Sequence, residues 1–188
     1  MFERFDDAAR QAVTSARDEA VRAAQPQIGP EHLLVALASG TGLAAEALTG
    51  AGAGPDALRA LLPLGQAARL PPLDSEGLAL LGIDLDTVSR AADAAFGAHA
   101  LTRDRTARAS GRRVPFSRPA RQAIELSLRS AIRLGQNQIT SGHVLLGVLD
   151  QPASLALTML ADAGVNVADL RRTVQLRLAR GGPAAATG

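Results

Sequence analysis

No cysteine, lysine, tryptophan or tyrosine occurs in the sequence, and the only aromatics are four phenylalanines. Without cysteine there is no disulfide framework and no thiol chemistry. Without lysine the chain cannot carry G-x-x-x-x-G-K-[ST], whose lysine reaches the β- and γ-phosphates, so no P-loop ATPase module is encoded in these residues. The same absences explain an odd charge balance. The sequence pI is 10.7, yet the net charge is only +2. Almost nothing titrates between histidine and arginine, so a small cationic excess drives the pI high without creating a strong steering field. No apolar run approaches the ~18 residues of a membrane span. The opening MFERFDDAAR lacks the apolar core of a secretory signal, so a cytoplasmic protein is the expectation. Neither G-x-S-x-G nor H-E-x-x-H occurs, and carboxylates are scattered rather than paired, so neither nucleophilic catalysis nor a zinc site has support.

Alanine and leucine dominate, 47% of residues are hydrophobic, and β-branched residues are sparse, which favours helix over sheet. The organising feature is an internal repeat. Phe116 to Val148 slides back by 111 positions onto Phe5 to Leu37 without a gap, and 12 of those 33 positions are identical. They are Phe5, Ala9, Arg10, Gln11, Ala12, Ala20, Arg22, Gln25, Gln27, Ile28, His32 and Leu34 and their counterparts.

Residues 5–24 read as an amphipathic helix with Phe5, Ala9, Ala12, Val13, Ala16 and Ala20 on one face and Asp6 or Asp7 as its cap. Gly29-Pro30 opens a second helix through His32 to Leu37, with proline at the first position, where its missing N–H costs nothing. A third covers roughly Leu43 to Leu48, and a fourth starts at Pro55. Copy two repeats the plan: Ser117 to Leu134, Thr140 or Ser141 to Leu149, about Ser154 to Ala163, and Val167 to Arg180. Gly52 and Gly164 are placed to end a helix in the left-handed region. The expected organisation is repeat one at 1–64, a helical insert and linker at 65–113, repeat two at 114–180, and a disordered tail at 181–188. The insert reads as two short helices split at Gly82, a partial third copy of the hairpin. The linker LTRDRTARASGRR carries Arg103, Arg105, Arg108, Arg112 and Arg113 with no interleaved aromatic on which a base would stack, so an exposed basic linker is the reading and nucleic acid is not an expected partner.

FERFDDAARQAV, IGPEHLLVAL, PFSRPARQAIELSLRSAIRLG and GHVLLGVL resemble the N-terminal domain of the Clp-family AAA+ unfoldases, most of all the ClpC type. That resemblance covers both repeats and implies an all-α fold, a pseudo-two-fold pair of four-helix repeats. It implies a non-catalytic module, without cofactor, that binds unfoldase clients, adaptors or the Clp ATPase itself. With no ATPase module encoded, a free-standing N-domain is expected. It would modulate Clp-dependent proteolysis or act as a decoy that sequesters Clp-targeting cyclic peptides. The alternative is a nucleic-acid-associated regulator using the arginine-rich linker.

The resemblance also nominates site residues. Phe2, Arg10, Val13, Phe116, Arg121 and Glu125 match a patch that in ClpC-like domains binds adaptors and cyclic peptides. Phe116 has a second reading, as a staple fixing its helix in the core like its counterpart Phe5. Glu31 matches an acidic residue implicated in holding the guanidinium of phosphoarginine. Its plainer reading is favourable charge in a helix first turn. The equivalent position in copy two is Gly142, so one such site at most is expected. His32 and His143, equivalent across the repeat, are read as core or capping residues rather than metal ligands, and His99 stands alone in the insert. Phe96 is the only aromatic in the insert with which to plug a groove.

Overall fold

Two local devices start the long helices. Asp6 Oδ1 accepts from the amide of Ala9 at 2.7 Å, and Ser117 Oγ accepts from that of Ala120 at 3.2 Å, each satisfying one of the orphan donors of a first turn. In this computed structural model of the chain, the residues described are 2–63, 87, 90 and 114–180, with the backbone alone for Phe2. The insert helices, Gly82, Phe96, His99, the five linker arginines and the tail lie outside them.

Among the described residues the protein is all-helical. A 3-10 turn at Phe2–Arg4 precedes α1 (Asp7–Arg22), α2 (Pro30–Ser39), α3 (Leu43–Gly50) and α4 (Pro55–Leu61). Copy two supplies α5 (Arg118–Arg133), α6 (Ser141–Leu149), α7 (Leu155–Asp162) and α8 (Val167–Arg180). Gly52 and Gly164 take φ of 85° and 75°, as the turn after each third helix requires.

The centre is α2 against α6. Every residue of α6 is buried, as are eight of the ten in α2, which is why these two segments carry almost no charge. Around this pair the repeats interlock. The third helix of each copy reaches across to the other: α3 packs on α6 and α8 as well as on its own α2, while α7 packs mainly on α2 and α4. One apolar core results, running from Phe5 to Leu178.

A second exchange ties the repeats through the backbone. Phe5 bridges Ile139, and Phe116 bridges Ile28, both in parallel. The Ile139 amide donates to the Arg4 carbonyl at 2.7 Å, and the Ile28 amide to that of Pro115 at 2.9 Å. The short segment before each long helix is thus satisfied by the other copy, and the same residue pair, Phe with Ile, meets at both crossings. Gln25 and Gln136 also have one shared duty. Their side-chain amides donate to the Pro63 and Leu178 carbonyls, at 2.9 and 2.7 Å, tying down the end of the fourth helix or the strand of chain just after it.

The copies differ where α1 and α5 end. Gly135 takes φ of 65°, and its counterpart Ala24 takes φ of 53°, a left-handed conformation that Cβ disfavours. Ala24→Gly is expected to raise stability by about 0.5 kcal/mol, the relief of strain exceeding the added entropy of glycine in the unfolded chain. Urea unfolding checks it, and a loss of stability would contradict strain at this position.

Candidate functional site

The corners where α2 and α6 begin are related by the repeat. His32 Nδ1 accepts from the Gly29 amide at 2.9 Å, and His143 Nδ1 accepts from the Thr140 amide at 3.1 Å. An imidazole accepting at Nδ1 is neutral with its proton on Nε2. Both rings are buried, and neither Nε2 has a hydrogen-bond partner among the described residues. Burial pushes His143 down to a pKa of about 4. The histidines therefore combine the core and capping roles. No cluster of three or more histidine, aspartate or glutamate side chains lies among the described residues.

Beyond this shared cap the corners diverge. At the first, Glu31 lies in the first turn of α2 and folds back over Gly29, in the space a Cβ on that glycine would occupy. Its side chain is only 15% exposed. Glu31 Oε1 lies 3.2 Å from His32 Nδ1, but that nitrogen already accepts the Gly29 N–H, so a neutral His32 leaves the carboxylate unpaired. No arginine pairs with Glu31 among the described residues. The carboxylate faces a cleft of about 370 Å³ lined also by Gln25, Gln27, Ser117, Pro119 and Leu155. Glu31 is the only ionisable residue in that lining, and Leu155 is a partly exposed apolar wall.

At the second corner the cleft is filled. A Cβ on Gly142 would lie 3.0 Å from Leu43 Cδ2 and 3.1 Å from Leu178 Cδ2. Ser141 Oγ, also buried, accepts from the Ala44 amide at 3.3 Å and so serves α3, whose own N-cap Gly42 has no side chain to offer. Repeat two uses this position for packing, and repeat one leaves it open and acidic.

The residues of the expected patch are only partly together at the surface. Phe116 is half-buried, whereas Phe5 is 3% exposed. Arg121 is exposed but engaged, its Nη1 donating to the Phe116 carbonyl at 2.6 Å. Arg10 does the same for the Phe5 carbonyl at 2.9 Å and also pairs with Asp7 at 2.7 Å. The arginine shared by the two copies is therefore a clamp on the segment before each helix. Glu125 is exposed one turn beyond Arg121. Val13 corrects the surface expectation: it is 4% exposed, because it follows Ala9 by four positions on the stripe that faces α2. The Phe2 side chain lies outside what is described.

Sequence reasoning singled out Glu31 and noted that Gly142 stands at the equivalent position. It did not find the walls of the cleft, because Ser117 and Leu155 come from the other copy and belong to no local pattern. It also missed the buried Glu19, which pairs with Arg22 and Arg59 at 2.9 and 3.1 Å, and whose hydrogen bond raises the Arg59 pKa.

Comparison with known proteins is consistent with this fold. The family model for the Clp repeat N-terminal domain matches residues 4–99 and 115–187. Chloroplastic ClpC1 of Arabidopsis thaliana is 28% identical over 175 residues, covering 93% of this chain and 15% of the relative. "Negative regulator of genetic competence ClpC/MecB" of Bacillus subtilis is 26% identical over the same length, covering 93% and 17%. The chain thus spans roughly a sixth of the length of the curated relatives it matches. Among solved structures, the N-terminal domain of the chaperone ClpD from Arabidopsis thaliana superposes with a TM-score of 0.60 at 17% identity, covering 95% of this chain and 99% of that one. The Hsp104 N-terminal domain from Candida albicans gives 0.55 at 16%, covering 94% and 93%. With both repeats matched and the all-helical fold shared, this chain belongs to the Clp repeat N-terminal domain family.

Proposed function

We propose that the chain is a non-catalytic protein- and peptide-binding module that receives clients or adaptors of a Clp unfoldase and so modulates Clp-dependent proteolysis. The observation that carries this reading is the unpaired, largely buried Glu31 carboxylate at the mouth of a cleft walled by both repeats. Such a group favours a planar cation, and a guanidinium meets a carboxylate with two parallel hydrogen bonds. Gln27 and Ser117 at the same cleft are neutral donors suited to phosphoryl oxygens, which fits a phosphoarginine tag on a client better than a bare arginine. The packed corner at Gly142, which has no carboxylate to offer, supports a single site of this kind.

The test is a titration with a phosphoarginine peptide and with its arginine and phosphoserine analogues. Glu31→Gln, which keeps the shape and removes the charge, is expected to weaken phosphoarginine binding at least ~10-fold, about 1.4 kcal/mol. Equal binding by wild type and variant would place the ligand elsewhere.

A second reading rests on the half-buried Phe116 beside exposed Glu125 and Arg121. Together with Phe2 and Arg10, that edge would capture a cyclic peptide and make the chain a decoy. Phe116→Ala and Phe2→Ala would weaken cyclic-peptide binding and leave phosphoarginine binding intact, so the two readings separate in one set of titrations.

A further inference from the structure

The repeat supplies an internal control for surface charge. On α5, Arg118, Arg121, Arg129 and Arg133 are exposed along one side of the helix with a single acid, Glu125, among them. They span the 16 residues of the helix, about 22 Å from first to last. None of the four makes a salt bridge among the described residues, and only Arg121 has a hydrogen bond, to the Phe116 carbonyl. The equivalent positions on α1 are Asp7, Arg10, Asp18 and Arg22, two acids and two bases. There the charges are matched, with Arg10 on Asp7 and Arg22 on Glu19. Because α1 holds the same place in the fold with a neutral face, folding does not demand the arginines of α5. The same ridge carries Ile132, 61% exposed and the most exposed large apolar side chain described.

We propose that this face of α5 is a docking surface for an acidic amphipathic segment of a partner protein, separate from the Glu31 cleft. Charge complementarity argues for carboxylates spaced to meet guanidiniums on successive turns. Ile132 at the C-terminal end asks for an apolar residue among them, which selects an acidic peptide with hydrophobic positions over a polyanion. Duplex nucleic acid fits less well, because Glu125 at the middle of the ridge would set a carboxylate against the phosphates.

The experiment uses the full chain and a fluorescein-labelled 14-residue peptide carrying glutamates at i, i+4 spacing with leucines between, followed by anisotropy at 150 mM salt. Arg129→Glu/Arg133→Glu is compared with Arg172→Glu/Arg180→Glu, which changes net charge equally but on α8. The ridge pair is expected to weaken binding at least ~10-fold and the α8 pair less than ~2-fold. Ile132→Ser should cost roughly 3-fold, since one exposed aliphatic side chain buries modest area. Arg129→Gln/Arg133→Gln guards against misfolding of the reversal variant and should weaken binding by an intermediate amount. Equal losses in the ridge and α8 pairs would reduce the effect to net charge and overturn the proposal. So would no binding by wild type, or tighter binding of a duplex of equal charge.

Discussion

Gly147→Ala is expected to destabilise the protein by roughly 3 kcal/mol or more, although alanine is the better helix former by about 1 kcal/mol. A Cβ at position 147 would run into the Ala123 carbonyl oxygen and lie 3.0 Å from the Ser127 amide nitrogen. Both obstacles are backbone atoms of α5, so no rotamer change relieves them. The helices must separate, and α6 is the most completely buried element of the fold. Repeat one shows what a looser crossing looks like. Its equivalent residue is Ala36, fully accommodated at 1% exposure against α1, which carries Ala12 and Ala16 where α5 carries Ala123 and Ser127. Ala36→Gly should therefore cost only about 1 kcal/mol, the propensity difference plus a small void. Urea denaturation of both variants decides the matter. If Gly147→Ala were as stable as the wild type, the α5–α6 crossing would be free to widen and the tight contact would not matter energetically.

How much of this was legible beforehand follows the range of each interaction. The eight helices of the two copies fall within about two residues of their expected bounds, because Asp6, Ser117, Pro30, Gly52 and Gly164 act on their own turns. The all-α fold was implied by the family resemblance, and the composition, rich in alanine and leucine, pointed the same way. The crossing of α3 and α7 into the opposite copies was not legible, nor were the Phe5–Ile139 and Phe116–Ile28 bridges, since they join residues more than eighty positions apart. Val13 illustrates a conflict between two signals. The 3.6-residue stripe placed it in the core, resemblance placed it on the surface, and the stripe prevailed. Arg10 and Arg121 illustrate the converse: repetition marked them, and their carbonyl clamps give that repetition a structural cause. Glu31 was visible as a residue, whereas its cleft exists only because α5 and α7 close on the first corner of α2.

The second large effect concerns acid. Stability should fall as pH drops from about 7 to about 4, and His143 should account for roughly 2 to 3 kcal/mol of the loss. In the unfolded chain this imidazole titrates near 6.5, and in the folded protein burial lowers it to about 4. Between those values the unfolded state binds a proton that the native state refuses, so protonation pulls the equilibrium toward unfolding. Above about 6.5 the ring is neutral in both states and contributes no slope. Below about 4 it is charged in both, and its share of the loss is complete. The geometry explains the refusal. Nδ1 accepts the Thr140 amide at 3.1 Å and lies 3.0 Å from the Thr140 hydroxyl, while Nε2 is enclosed without a partner, so a charged ring would be buried away from water with one N–H unsatisfied. Carboxylates also begin to titrate near pH 4, so the raw slope is not the test. The comparison is with His143→Gln, which offers the Thr140 amide an acceptor and cannot titrate. The variant should be less stable at pH 7 and lose less on acidification, so that the two curves converge toward pH 4. Ring-carbon chemical shifts of the wild type should show His143 remaining neutral at pH 5. Parallel curves for the two proteins, or a ring that titrates near 6.5 in the native state, would show that the α6 corner admits the charged form and that its burial is not what holds the ring neutral.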